Sequence, residues 1–296
     1  MVVKEPISDL VQKRTGAMVL EAIQSGNRRW WSANTMSYDW KDRVPAPRFS
    51  AEWFDEVDRR FIHGARLFAT VNRPFDRLIP FDGLRAQRVL EIGCGMGLHT
   101  ELLAKAGAAV TAIDISPTSV DATRRRLALK GLTADLRVAD AEILPFDRGS
   151  FDFVWSWGAI HHSSRTALIV RRISEVLDRA GEARVMVYNR EGASARSVFL
   201  RDYILKAGFR KRTFDEQLWL SSDGFSARYY VKEQLADLFH AFFRGVDVTI
   251  CGHDFDALPL PRRLRHVVLP RVSQERLERW QARRGGFLLV CAKKPF

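Results

Sequence analysis

The spacing of apolar positions changes along the chain, and each change marks an element. From residue 86 onward, short apolar runs alternate with stretches of helical period. "RVLEIG", "AVTAIDIS", "ADLRVADA", "FDFVWSW" and "ARVMVYN" read as five strands. Between them lie helices. "LHTELLAKAG" stops at Gly107; "TSVDATRRRLALKG" starts from Ser116, with Pro117 at its first position, and stops at Gly131; "TALIVRRISEVLD" is amphipathic. Strands separated by helices of this length predict βαβ units with right-handed crossovers, hence a mostly parallel sheet flanked by helices. Further on, the helix "VKEQLADLFHAF" precedes two more strands, "GVDVTIC" and "GFLLVCAKK", which complete a seven-stranded Rossmann-like α/β fold.

Before residue 86 the pattern is helical and aromatic. "VQKRTGAMVLEAIQ" has apolar residues at helical spacing, and "SAEWFDEVDRRFIHGARLF" begins with Ser50 as an N-cap. Between them, "RRWWSANTMSYDWKDRVPAP" is irregular. The chain divides into residues 1–85, an N-terminal helical and aromatic lid and support, and residues 86–296, the α/β domain. That domain carries an insertion at about 191–230 and an excursion at about 253–272, where prolines 259, 261 and 270 exclude a tight hairpin. No internal repeat is apparent.

Composition narrows the class. Three scattered cysteines without a CxxC pair argue against a disulfide framework and suit a reducing, cytoplasmic setting. No apolar run approaches the ~18 residues of a membrane span, and the N-terminus lacks a signal-peptide core. The net charge of +12 reads either as attraction to an anionic partner or as a solvated, arginine-rich surface. The even spread of arginine favours the second reading.

Candidate chemistry concentrates after the first strand. "VLEIGCGMG" places Gly93, Gly95 and Gly97 between a strand and a helix, where glycine lets backbone turn tightly and approach a ligand. NAD, FAD and S-adenosylmethionine (SAM) enzymes all use such a turn. The spacing is GxGxG rather than GxGxxG, and no YxxxK pair is present. Asp114 ends the second strand, where a carboxylate can accept both ribose hydroxyls of a nucleoside. Asp140 follows the third strand and can accept from an exocyclic adenine amine, with the Ala141 N–H facing the ring.

Taken together, "VLEIGCGMGLHTELLAKAGAAVTAIDIS", "VADAEILPFDRGSFDFVWSWGAIHH" and "ISEVLDRAGEARVMVYN" resemble the class I SAM-dependent methyltransferases. The subgroup most similar is the ubiquinone/menaquinone-type, type 11-like group acting on small molecules. The resemblance implies SAM as cofactor. It implies that Glu91, Gly93, Gly95 and Gly97 shape the methionyl pocket, that Asp114 with Ile115 meets the ribose, that Asp140 and Ala141 meet the adenine, and that Trp157 walls the sulfonium. One departure is "LDRAGEARV", with Gly181 alone where such enzymes usually have a Gly-Gly turn.

Methyl transfer to oxygen needs a proton removed, and imidazole suits that task near neutral pH. His161 and His162 follow the fourth strand, at the ligand-binding end of such sheets. Neighbours entering a helix point ~100° apart, so one histidine is expected to act as base or orienting group and the other to be structural. A metal is not expected there. An [N/D]PP[Y/F] run or a cysteine after the fourth strand would suit a nucleic-acid methyltransferase; that position reads "SWGA". The acceptor is therefore expected to be a small molecule, anionic or amphipathic on the strength of an aromatic pocket ringed by arginines, and O-methylation is favoured. The alternatives are C-methylation of a quinone, isoprenoid or other lipid-like acceptor, and a SAM-binding protein without transferase activity. Trp31, Tyr38, Tyr229, Tyr230 and His253, with Asp254 beside it, are the substrate-pocket candidates. Sequence leaves the oligomeric state open.

Overall fold

The computed structural model describes residues 16–38, 42–70 and 73–296. The first part of the predicted N-terminal helix, and Asp39 and Trp40 of the aromatic segment, lie outside the described residues. Helices α1 (Gly16–Ala33) and α2 (Ala51–Gly64) lead into the α/β domain, and Ser50 caps α2 by accepting the Trp53 N–H.

Strands β1 (Arg88–Ile92), β2 (Ala109–Asp114), β3 (Asp135–Val138), β4 (Phe151–Trp157) and β5 (Leu177–Asn189) pair in parallel. They are joined through α3 (Leu98–Lys105), α4 (Pro117–Leu129) and α5 (Thr166–Val176). As expected from sequence, Ser116 caps α4 and Pro117 opens it. After β5 come α6 (Ala193–Val198), a π-helical stretch (Phe199–Leu205), α7 (Phe214–Ser221), the two-residue strand β6 (Tyr229–Tyr230) and α8 (Lys232–His240). Strand β7 (Phe243–Cys251), helices α9 (Asp254–Ala257), α10 (Arg262–Val268) and α11 (Gln274–Arg284), and strand β8 (Phe287–Pro295) end the chain. The strand order is β3-β2-β1-β4-β5-β8-β7, with β6 paired to the end of β5 and β8 antiparallel to both its neighbours.

The sheet is buried on both faces, which is why its central strands are near-continuous apolar runs rather than alternating ones. Val154 and Leu90 face a core built with Ile169, Ile173, Leu235 and Phe239. Phe153, Trp155 and Val89 face the other way, onto Leu103, Phe68 and Phe75. The N-terminal region thus supplies core to one sheet face through Phe68 and Phe75.

Three details depart from the sequence reading. Strand β3 stops at Val138 because Asp140 turns the chain, accepting the Glu142 N–H. The β7–β8 connection is helical almost throughout and reaches Arg284, well past residue 272. Helix α11 buries Leu277 and Gln281 among many charges, so its apolar period is faint. His161 and His162 sit in a short 3-10 turn, Ile160–His162, not at a helix start. Their rings therefore pack on one another, 4.2 Å between centroids, instead of diverging.

Candidate active site

A cavity of about 260 Å³ opens at the carboxyl ends of β1, β2 and β4, the end where ligands bind in open α/β sheets. One wall is the glycine turn. Gly93, Gly95 and Gly97 all have positive φ, 86°, 54° and 81°. A Cβ on Gly93 would stand 2.4 Å from the Ala159 methyl, while at Gly95 the same position is open space. Bare backbone therefore forms the cavity surface at Gly95. Gly97 is set back as the N-cap of α3, against Thr123 and Arg126.

Asp114 projects beside this turn and accepts the backbone N–H of Ser116 at 2.8 Å and of Gly95 at 3.1 Å. Burial lifts its pKa to about 6, against the lowering effect of those N–H groups, so it is an anion at neutral pH. Ile115, Asp140 and Ala141 continue the wall. Both Asp140 oxygens accept the Gln24 amide at 2.9 Å. That contact, with an amide NH2 as donor, is the kind an exocyclic amine makes. Glu91 does not line the cavity; it lies behind the turn, buried, and accepts the Thr100 hydroxyl at 2.6 Å.

The opposite wall is aromatic. Trp157 stacks on Trp155 and meets Phe68 and Phe75 edge-on. Trp31, Tyr38, Tyr188, His253 and Phe287 also line the space. Tyr229 and Tyr230 do not: Tyr229 packs behind Tyr188, and Tyr230 joins the core beneath the sheet. Asp254 pairs instead with Arg66 at 2.9 Å.

The histidines separate by position. His162 lines the cavity, with its Nδ1 2.5 Å from the Ser226 carbonyl and Trp31 edge-on to its ring. A carbonyl only accepts, so Nδ1 carries the proton, and the uncharged tautomer that fits this contact keeps its lone pair on Nε2. His161 is wholly buried behind it, against Tyr188 at 4.0 Å. The His162 carbonyl accepts the Asn27 amide at 2.5 Å, and Ser226 Oγ lies 2.9 Å from Asn27 Oδ1. Helix α1, the β4 turn and the 222–228 segment are thereby tied together.

Several site residues carried no distinctive sequence signal. Glu142 is buried under the "HHSSR" turn and accepts from Ser163 Oγ (2.6 Å), Ser164 Oγ (2.8 Å) and Arg165 Nε (2.8 Å). Burial would raise its pKa, but these donors outweigh it and hold the carboxyl below its ordinary value. His99 lines the cavity among Phe61, Phe75 and Trp157, and its buried Nε2 has no hydrogen-bond partner among the described residues. The Nε2 of His253 is in the same position. Burial lowers the pKa of His99 to about 3 and of His253 to about 4, so both rings are neutral at pH 7. Among the described lining residues the charged groups are Asp58, Asp114, Asp140 and Asp223, with no lysine or arginine. The expectation of arginines around the pocket fails here.

Residues 89–181 match the model of the methyltransferase domain family. Over 171 residues, 54% of this chain and 68% of the relative, the chain is 30% identical to the ubiquinone biosynthesis O-methyltransferase of Brucella anthropi. The chain belongs to the class I SAM-dependent methyltransferases. As a member, it is an enzyme whose cofactor is SAM. Matches to other ubiquinone biosynthesis O-methyltransferases, such as those of Methylocella silvestris and Xanthomonas euvesicatoria, cover 41% and 52% of those proteins. Two of the solved structures that are similar in fold match at TM-score 0.50. The [4+2]-cyclase SpnF is 20% identical, over 98% of this chain and 94% of its own. A Thermotoga maritima SAM-dependent methyltransferase is 17% identical, over 82% and 96%.

The methyltransferase cavity suits a nucleoside with an amino-acid tail. Bare glycine backbone, a buried carboxylate at the β2 end and a second carboxylate satisfied by an amide supply, in order, room for a chain, acceptors for hydroxyls and an acceptor for an amine. Among the described residues no group of three or more His, Cys, Asp or Glu is arranged to hold a metal ion. None of the described helices is long and apolar enough to cross a membrane.

Proposed function

We propose that this methyltransferase acts on a hydroxyl oxygen of a small, weakly polar acceptor, with His162 as the base. The observation that carries the reading is the contact between His162 Nδ1 and the Ser226 carbonyl. With Nδ1 so committed, Nε2 is the basic nitrogen of a ring in the cavity wall. An imidazole so oriented can take the acceptor's hydroxyl proton as the oxygen attacks. SAM, when bound, supplies the electrophilic methyl on its sulfonium.

The remaining residues bind and orient. Gly93 and Gly95 would lie along the methionyl chain, with Glu91 and Gly97 shaping that turn from behind. Asp114, beside Ile115, would accept the ribose hydroxyls while keeping its two backbone donors. Asp140 and Ala141 would meet the adenine, with Gln24 yielding its place on Asp140 to the exocyclic amine. Trp157 would wall the reacting end. Trp31, Tyr38 and His253 would surround the acceptor, and α1 with the 222–228 segment would exclude water from it. His161, behind His162, would hold that ring in place. The absence of lysine and arginine from the described lining argues against a buried anionic group and for a neutral one. Oxygen as the target draws support from the relatives named O-methyltransferases.

The test uses methyl-labelled SAM and a panel of neutral phenols and hydroxylated lipids. His162→Asn retains a donor near the Nδ1 position but no base. Turnover should fall by ~10²-fold or more, while calorimetry gives an unchanged SAM affinity. A variant that turns over at the parent rate would sink the assignment.

A further inference from the structure

We infer that the two excursions at the active-site end of the sheet form a docking face for an anionic lipid bilayer. The inference stands on surface chemistry and does not depend on which atom is methylated. Of the twelve large apolar side chains exposed among the described residues, seven lie on these excursions. Phe199, Leu200, Ile204, Leu205 and Phe209 come from the π-helical stretch and the turn after it, and Leu264 and Val267 from α10. Leu205, at 73% exposure, is the most exposed of the twelve.

The two segments leave the sheet together. Strands β5 and β7 are both antiparallel to β8, so their carboxyl ends point the same way, toward the cavity. Ser194 of α6 donates to Asp256 of α9 at 2.7 Å, joining the bases of the excursions. The first excursion then returns to the cavity, where Asp223 is part of the lining.

Charge selects among occupants. Residues 196–212 hold six lysines and arginines against one aspartate, and residues 262–271 hold four arginines with no acid. Arg196, Arg201, Lys206, Arg210 and Lys211 are exposed beside the apolar side chains. Apolar side chains that enter the headgroup–acyl boundary, among cations that stay with anionic headgroups, are the chemistry of an interfacial segment. A nucleic acid would match the cations and leave Leu205 and Phe209 unused. A second copy meeting face to face would bring like charges together. On a bilayer, an amphipathic acceptor would reach the cavity without crossing bulk water.

The test is sedimentation of the full chain with vesicles of phosphatidylcholine containing phosphatidylglycerol, and with phosphatidylcholine alone. The chain should co-sediment with the anionic vesicles and lose binding as salt rises. Leu205→Glu/Phe209→Glu should lower the partition coefficient at least ~10-fold, and Lys211→Glu/Arg212→Glu should lower it further at low salt than at high salt. SAM affinity serves as the folding control and should not change in either variant. Absence of sedimentation, equal binding to the neutral vesicles, or undiminished binding by the apolar double variant overturns the inference. So does self-association that the double variant abolishes, or binding to duplex RNA in place of vesicles.

Discussion

The two walls of the cavity are built by different means. The cofactor wall is mostly local: Asp114 is held by backbone donors 2 and 19 residues away, and the turn it serves is glycine backbone in a left-handed conformation. The acceptor wall is assembled from afar: His162 meets Ser226 across 64 positions and Asn27 across 135. A wall made of backbone and near neighbours keeps its shape while side chains elsewhere vary. A wall made of distant side chains can be re-cut by changing the insertions that supply them. Cofactor binding and acceptor choice should therefore respond to separate sets of mutations.

The largest effect should come from a strut that ties α2, whose Asp58 lines the cavity, to α3 behind the glycine turn. Arg126, 1% exposed, donates to Glu101 of α3 at 2.7 Å and to both Asp58 oxygens of α2 at 2.6 and 2.8 Å, and Asp58 lines the cavity. Arg126→Met would take the cation from the half-buried Asp58 and leave the buried Glu101 with Lys105 alone, a loss of about 3 kcal/mol, the low end for breaking a buried pair. Denaturant unfolding should show it, with SAM affinity and acceptor KM impaired together. A loss below 1 kcal/mol would mean that the strut carries nothing and that the walls are independent even there.

Legibility follows the same division. Glycine spacing, the strand-end aspartates and the Ser116–Pro117 helix start are legible because their partners lie close in sequence. Gln24 on Asp140, 116 residues away, is not. Nor is Glu142, whose position in "ADAEILPF" gives no sign of the donors it gathers from the turn after β4. His99 looks like any residue in the first turn of a helix until the sheet brings Phe75 and Trp157 around it. The expectation of an arginine-ringed pocket failed for a related reason. Composition sums over the whole surface, and the +12 resides outside a cavity whose described charged lining is all aspartate. The histidine pair was readable as two roles, but the 3-10 turn that puts one in the wall and one behind it depends on Glu142 and Ser226.

A smaller effect sharpens the account of the cofactor wall. Burial raises the Glu91 pKa to about 8, opposed by the Thr100 hydroxyl it accepts. The raised value means that the folded state holds a proton which the unfolded chain releases near pH ~4.3. The resulting penalty is absent below that pH, grows between it and about 8, and is complete above. Glu91→Gln still accepts from Thr100 and cannot ionise. Its stability should lack this decline and exceed the parent's at pH 9. Parallel pH–stability curves for the two proteins would show that Glu91 is ionised in the folded state at neutral pH.

The smallest effect tests the acceptor wall alone. Tyr188 keeps its ring against His161, Tyr229 and Phe287, and its hydroxyl donates to Asp223 at 3.2 Å. Burial, with Asp223 and Tyr229 adding to it, raises the Tyr188 pKa well above its ordinary value, so the hydroxyl stays a donor across the working pH range. Tyr188→Phe preserves the stacking and removes only the donor. Asp223 is exposed and can turn to water, so the cost should be about 0.5–1 kcal/mol. Steady-state kinetics should show acceptor KM rising about two- to fivefold, with kcat and SAM affinity unchanged. If SAM affinity falls as far as acceptor KM rises, the walls are coupled through the cavity itself, and separate control of cofactor and acceptor is lost.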